Sequence, residues 1–183
     1  MPDERLLVEK CTKGDLNAQN QLFDSYANQM FRLCYRYVNY KCDAEDIMIT
    51  GFHKVFKHLG NFEYREKGSL KKWIKTIMIN ESLMFLRKSK KLQVITSDNI
   101  MKYEASEAGI ADIDAEMIYQ MIIQMPVGYR TILNLYIIDG LTHEEISREL
   151  DISINTSKSQ LSRARATLKE QLLKLECHGQ SFR

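Results

Sequence analysis

Proline and glycine are scarce, at 2 and 8 of 183 residues. Sandwiches, barrels and doubly wound sheets need a tight turn every few residues, so the scarcity disfavours them and points to helices. No apolar run approaches the ~18–20 residues that cross a bilayer, and no membrane span is expected. The opening MPDERLLVEK has neither a basic n-region nor an apolar h-region, so no signal peptide is expected either. The four cysteines, Cys11, Cys34, Cys42 and Cys177, form no CxxC pair. Without an export signal they read as reduced cytoplasmic thiols, with no zinc or redox site. His143-Glu144 lacks the second histidine, four residues on, of a zinc protease helix. What remains is 44% hydrophobic and 27% charged, the composition of a folded, soluble chain.

The net charge of +2 conceals a pattern. Residues 65–91 carry +7, residues 92–125 carry −5, and residues 152–175 return to +4. Solvated helix faces explain charge runs in general. Two cationic stretches around an acidic one also fit two polyanion contacts joined by a segment that avoids DNA.

Helical periodicity dominates. Residues 16–40 place Phe23, Tyr26, Met30, Leu33, Cys34 and Tyr37 on one side, and residues 43–59 do the same with Ala44, Ile47, Met48, Phe52, Val55, Phe56 and Leu59. Asp43 is expected to cap this second helix and Gly60 to end it. After the polar loop NFEYREKGS, Ser69 is expected to cap a third helix with a stripe through Leu70, Trp73, Ile74, Ile77, Met84 and Phe85. Residues 92–111 show no sustained period and read as a linker. Asp112 then suits a cap for a helix through Met117, Ile118, Met121, Ile122 and Met125. Pro126 opens another with Ile132, Leu135 and Ile138, stopped by Asp139-Gly140.

The segment LTHEEISRELDISINTSKSQLSRARATLKEQLLKL, residues 141–175, has the layout of a helix-turn-helix. Thr142 and Glu145 form a capping box, the turn is Asp151-Ile152-Ser153, and Ser153 caps a long second helix. The leading outward residues of that helix are expected to be Asn155, Thr156, Ser159, Gln160 and Arg163, which carry the donors and acceptors that base edges need. Lys158, Arg165 and Lys169 suit phosphates. The alternative is an ordinary αα-hairpin with a solvated face. In the block 43–91, Phe62, Tyr64 and Trp73 lie among lysines and arginines, a mixture that stacks unpaired bases and tracks a backbone. Trp73, on the apolar stripe, reads more readily as core, and Asn80 as a satisfied structural amide.

Together these motifs resemble a known family. DAEDIMITGFHKVF, LGNFEY, WIKTIMIN and LRK, followed by MPVGYRTILNLYIIDGLTHEEISREL and SINTSKSQLSRARATL, look like the bacterial sigma factors, the promoter-specificity subunits of RNA polymerase, and among them the compact extracytoplasmic-function (ECF) group. The match covers most of residues 16–175. It implies an all-α fold of two small helical domains: region 2 over 1–91, a linker over 92–111, and a region 4 helix-turn-helix over 112–183. By the resemblance, Asp43, Glu45 and Asp46 dock on the clamp helices of the polymerase largest subunit, and the flap is a further polymerase contact. Asn61, Phe62, Tyr64, Lys71, Lys75, Asn80, Arg87 and Lys88 would melt the −10 element and capture a flipped base. Asn155, Thr156, Lys158, Ser159, Gln160, Arg163 and Arg165 would read the −35 element. An anti-sigma factor is an implied partner. The chain would be a cytoplasmic monomer when free, with no catalytic residue, cofactor or metal.

Two features depart from the family pattern. Asn155-Thr156-Ser157 stands where a Gly-Thr-Val-like trio is usual, and Ser147 where a small alanine is usual. The linker could extend at most roughly 66–72 Å, against about 70 Å for two turns of duplex, so both domains can reach one promoter if the linker is nearly stretched or the domains themselves cover part of the distance. A free-standing dimeric helix-turn-helix regulator would leave block 43–91 without a role. A two-metal nuclease built on Asp43, Glu45 and Asp46 would need carboxylates converging from different elements, and capping already explains Asp43 and Asp46.

Overall fold

The computed structural model describes residues 4–89 and the helical backbone of 115–179, with side chains through Lys174. Among the described residues there is no strand. The chain divides into two compact units, one ending at Lys88 and the other beginning at Ser89. The expected linker and the cap expected at Asp112 lie outside the described residues.

The first unit contains α1 (Glu4–Thr12), α2 (Leu16–Val38), α3 (Lys41–His58), a 3-10 turn (Leu59–Asn61) and α4 (Ser69–Lys88). Asp15 caps α2, accepting from the N–H groups of Asn17 and Ala18 at 2.9 and 3.2 Å. Asn39 closes that helix in the left-handed region, donating its N–H to the Tyr35 carbonyl. α3 starts two residues before the expected cap. Tyr40 holds the cap position without a side-chain bond, so Asp43 lies inside the first turn, where its charge still suits the helix dipole. The far end is also earlier than expected, because Gly60 falls within the 3-10 turn. α4 begins with Ser69 already helical. The residue before it is Gly68 at φ +89°, a conformation that L side chains rarely adopt.

Helices α2, α3 and α4 pack on one another, and α1 lies against α2 and the 3-10 turn. Leu22, Met30 and Tyr37 of α2, Val55 of α3, and Leu70, Ile74, Met78 and Leu86 of α4 are fully enclosed. Each buried aliphatic of this kind stabilises the fold by about 1.5–3 kcal/mol. The α4 stripe differs from expectation: Ile77, Met84 and Phe85 are half-buried at its edge, while Glu81 and Ser82 are buried among the apolar residues. Glu81 is enclosed because Lys54 of α3 meets it at 2.6 Å, and the Ser82 hydroxyl donates to the Met78 carbonyl at 2.8 Å. Burial pushes the Cys34 thiol up to about 12, which keeps it protonated in the core.

The second unit contains α5 (Ala115–Gln124), α6 (Val127–Leu133), a π-helical turn (Asn134–Ile138), α7 (His143–Leu150) and α8 (Ile154–Gly179). Ile122, Met125, Leu133 and Ala164 form its core, flanked by Ile118, Tyr129 and Leu168. Arg130 is buried there because the end of α5 needs a donor. Its Nη1 donates to the carbonyls of Ile123 at 2.7 Å and Met125 at 2.9 Å. Burial lowers this guanidinium to about 10, so it remains charged at neutral pH. Pro126 holds the cap position of α6 as its fixed φ suggests. Ile138 was expected on the apolar stripe but is exposed, as is Ile137. The π turn inserts a residue, closing from the Asp139 N–H to the Asn134 carbonyl, and carries both side chains out of register.

α7 carries the expected capping box. The Thr142 N–H donates to Glu145 Oε2 at 2.7 Å, and the Glu145 N–H donates to Thr142 Oγ1 at 3.2 Å. The Thr142 backbone bond, ahead of the side-chain bond, holds the Glu145 carboxyl below its ordinary value.

Two predictions come from these contacts. A Cβ added at Gly51 would collide with Met78 Sδ and lie 2.9 Å from its Cε. Gly51→Ala is therefore expected to destabilise the first unit by about 1–3 kcal/mol, measured by urea unfolding. A lowered folded-state pKa contributes stability above the unfolded value, and that stability disappears as pH falls through the folded one. The stability difference between wild type and Glu145→Ala is accordingly expected to be full at neutral pH and to close below the ordinary glutamate range, as urea melts across pH would record.

Candidate nucleic-acid interface

The turn between α7 and α8 is set by three local bonds. Asp151 takes the left-handed region at φ 54° and donates its N–H to the Ser147 carbonyl. The Ser147 hydroxyl donates to the Ile152 carbonyl at 2.5 Å. Ser153 Oγ accepts from the Thr156 N–H at 2.9 Å, which caps α8. Ser147 is thus more than a small residue in the crossing, since its oxygen ties the turn.

Along α8 the exposed row is Asn155, Lys158, Ser159, Ser162 and Arg165, with Thr156 and Arg163 half-buried beside it. Ser162 shares this face and was not anticipated, because a short uncharged side chain gives no compositional signal. Gln160 is the correction. The sequence pattern suggests an outward base reader, yet Gln160 is 3% exposed and lies with Leu161 and Ala164 on the inner face. Its position three residues after buried Ser157 and four before Ala164 puts it on the core-facing side of the helix.

Ser157 itself has a partner. Its Oγ is 2.9 Å from His143 Nδ1, and the imidazole stacks on Tyr136 at 4.4 Å. The Arg165 guanidinium lies 5.9 Å from the centre of the same tyrosine ring. This chain of contacts joins the start of α7, the π turn and α8, and so fixes how the exposed row of α8 is presented.

In the first unit, the Phe62 and Trp73 rings approach to 5.1 Å at 39°. They line an open cleft of about 600 Å³ with Asn61, Glu63, Arg65, Glu66, Ser69 and Lys72. Trp73 is half-buried, so it borders this cleft rather than filling the core as expected. The loop placed an aromatic partner over the indole, which the stripe of α4 alone could not show. The rim holds two ion pairs, Arg65–Glu63 at 3.8 Å and Lys72–Glu66 at 3.4 Å, all four groups well exposed.

The remaining expected residues are spread along α4 rather than gathered. At about 100° per residue, Trp73, Asn80 and Arg87 share one row, with Asn80 about 10 Å beyond Trp73. Asn80 is exposed there, not enclosed as a structural amide. Lys71 and Lys75 lie on the opposite side, and Lys88 ends the helix roughly 25 Å from Lys71. Tyr64 is half-buried and Asn61 exposed. On α3, Asp46 is exposed while Asp43 and Glu45 are half-buried, with Glu45 3.8 Å from Lys41. Ile49, one turn on from Asp46, is 59% exposed, an apolar group that the sequence stripe left unassigned. Among the described residues no group of three or more His, Cys, Asp or Glu could hold a metal, and no helix is long and apolar enough to cross a membrane.

Comparison with known proteins gives these elements a common setting. Residues 22–92 match the family model "Sigma-70 region 2", and residues 115–168 match "Sigma-70, region 4". The chain is similar to the ECF RNA polymerase sigma factor SigW of Bacillus subtilis, with 29% identity over 90% of this chain and 94% of that protein. It is also similar to the RNA polymerase sigma-H factor of Pseudomonas aeruginosa, with 26% identity over 92% and 93% respectively. A solved structure of the sigma factor RpoE with the anti-sigma factor NepR from Bartonella quintana overlays at a TM-score of 0.49 and 24% identity, covering 85% of this chain and 96% of that one, too loosely to add to the assignment. With two sigma-70 models in succession and relatives aligned nearly end to end, the chain belongs to the sigma-70 family of RNA polymerase sigma factors, in its extracytoplasmic-function group.

Proposed function

We propose that this sigma factor divides promoter recognition between its two units, with residues 92–111 as the tether. The exposed row of α8 reads the −35 element: Asn155, Ser159, Ser162 and Arg163 at base edges, with Thr156 beside them, and Lys158 and Arg165 at phosphates. The cleft beside Asn61, Phe62 and Tyr64 receives an extruded base of the −10 element. Asn80 and Arg87 continue that path along α4, while Lys71, Lys75 and Lys88 hold backbone phosphates on its other faces. Asp43, Glu45 and Asp46 face the clamp helices of the polymerase largest subunit, and the second unit seats on the flap. Gln160 leaves the set of base readers for the core.

The observation that carries this reading is the Phe62–Trp73 aromatic cleft at the head of a cationic helix. Extruding a base costs a few kcal/mol, and stacking on an aromatic side chain returns ~1–3 kcal/mol. Phosphate contacts supply affinity without sequence, and the major-groove helix supplies register. In this role the chain makes no bond itself. It acts in the cytoplasm, is monomeric when free, and is held in check by an anti-sigma factor.

Run-off transcription with core polymerase on a genomic fragment library tests the reading. Discrete new transcripts that require the chain are expected; transcripts unchanged by its addition would refute it. Arg163→Ala is expected to weaken upstream recognition by ~1–3 kcal/mol and to relax base choice at one or two positions. Gln160→Ala is expected to lower the melting temperature with base choice intact. Titration against promoter variants, paired with thermal melts, separates the two. Asp46→Ala is expected to reduce co-elution with core polymerase while leaving the melt near wild type.

A further inference from the structure

The N-terminal helix has no part in the reading above, yet it meets both ends of the loop that forms the aromatic cleft. At one end α1 packs on the 3-10 turn Leu59–Asn61, from which the chain passes directly into Phe62. At the other end its first residue reaches across: the Gly68 N–H donates to Glu4 Oε2 at 2.9 Å. The other oxygen of that carboxylate, Oε1, accepts from the Tyr26 hydroxyl of α2 at 3.2 Å. Leu7, Val8 and Cys11 are buried and hold α1 in place.

Gly68 is the residue whose conformation turns the loop into α4. Its φ of +89° lets the chain enter the helix abruptly, and its N–H belongs to a helix start that has no cap of its own from Ser69. A carboxylate there satisfies the donor and suits the positive end of the α4 dipole. Tyr26 keeps the carboxylate aimed. Burial, and then the Glu4 charge, push that phenol up to about 12, so it is a hydrogen-bond donor throughout the physiological range.

We infer that Glu4 is a positioning residue for promoter melting: through Gly68 it holds loop 61–68 in the shape that presents Phe62 against Trp73 for an extruded base. The inference rests on the assignment of that cleft to the −10 element. α1 is then a brace on the opening loop, and the strength of the brace sets how readily the holoenzyme captures the first unstacked base.

The test uses full-length chain assembled with core polymerase on a promoter recovered by run-off transcription, with 2-aminopurine in the −10 strand reporting opening. Glu4→Ala is expected to slow opening about tenfold, the effect of losing a charge-assisted hydrogen bond. Glu4→Gln, which still offers an acceptor, is expected to recover most of the rate, and Tyr26→Phe to fall between. Amide exchange in the free chain is expected to accelerate at Gly68 and along the loop in Glu4→Ala, with the α2, α3 and α4 core amides unchanged. Phe62→Ala separates the two levels of the argument. If Phe62→Ala blocks opening while Glu4→Ala opens at the wild-type rate, the brace is wrong and the cleft assignment stands. If both open normally, the cleft assignment falls and takes the brace with it. Should Glu4→Ala speed exchange throughout the unit, or lose opening only in step with polymerase assembly, Glu4 is merely structural and the inference is overturned.

Discussion

Free N–H groups at helix starts govern how this protein presents its working surfaces. The described residues are nearly all helix, and each helix opens with N–H groups that no carbonyl of its own can satisfy. Here side chains at or beyond the helix start do that work at the places that matter. Ser153 caps α8, the helix with the exposed polar row. Thr142 and Glu145 close the start of α7, which packs on α8. Glu4 takes the N–H in front of α4, where the aromatic cleft begins. At the other polarity, Arg130 gathers the carbonyls left at the end of α5. The angles at which the exposed rows stand are therefore set by a handful of short polar contacts acting together with the close-packed apolar core beneath them.

What could be read from the sequence follows the same division. Most local signals between near neighbours were legible: the Thr142–Glu145 box, the Asp151 turn, the Ser153 cap and the apolar row Ala44, Ile47, Phe52, Val55 and Leu59 all stand where spacing put them, whereas Asp43 and Ser69 lie inside the helices they were expected to cap. Features that depend on a partner far along the chain were not. Glu81 is buried only because Lys54 on another helix meets it, so the stripe of α4 read from hydrophobicity alone was displaced. Gln160 is an exception of the local kind: its amide suggests a surface, although its spacing four residues before Ala164 sets it on the inner face. Trp73 looked like core until Phe62 was brought over it. Helix α1 escaped because Leu7, Val8 and Cys11 span too few turns to establish a period.

Both departures from the family pattern put a serine hydroxyl to use where α7 meets α8. Serine in place of alanine at 147 adds an oxygen, and that oxygen bonds the Ile152 carbonyl in the turn. Serine at 157, where an apolar group is usual, is buried beside His143, whose imidazole rests on Tyr136. Polar contacts stand between α7 and α8 where apolar packing is usual, and α8 starts at Ile154. Recognition of the family survives because the spacing of caps and apolar residues is kept while the chemistry of two crossing points changes.

The border of the aromatic cleft mixes signs: Glu63 and Glu66 stand alongside Arg65 and Lys72. Each carboxylate is paired with a cation, so the mouth carries no net charge and discriminates little between one phosphate and another. With the cleft in its assigned role, shape decides entry: an unstacked base offers a flat face to the aromatic rings, whereas a base still stacked in duplex has none to offer.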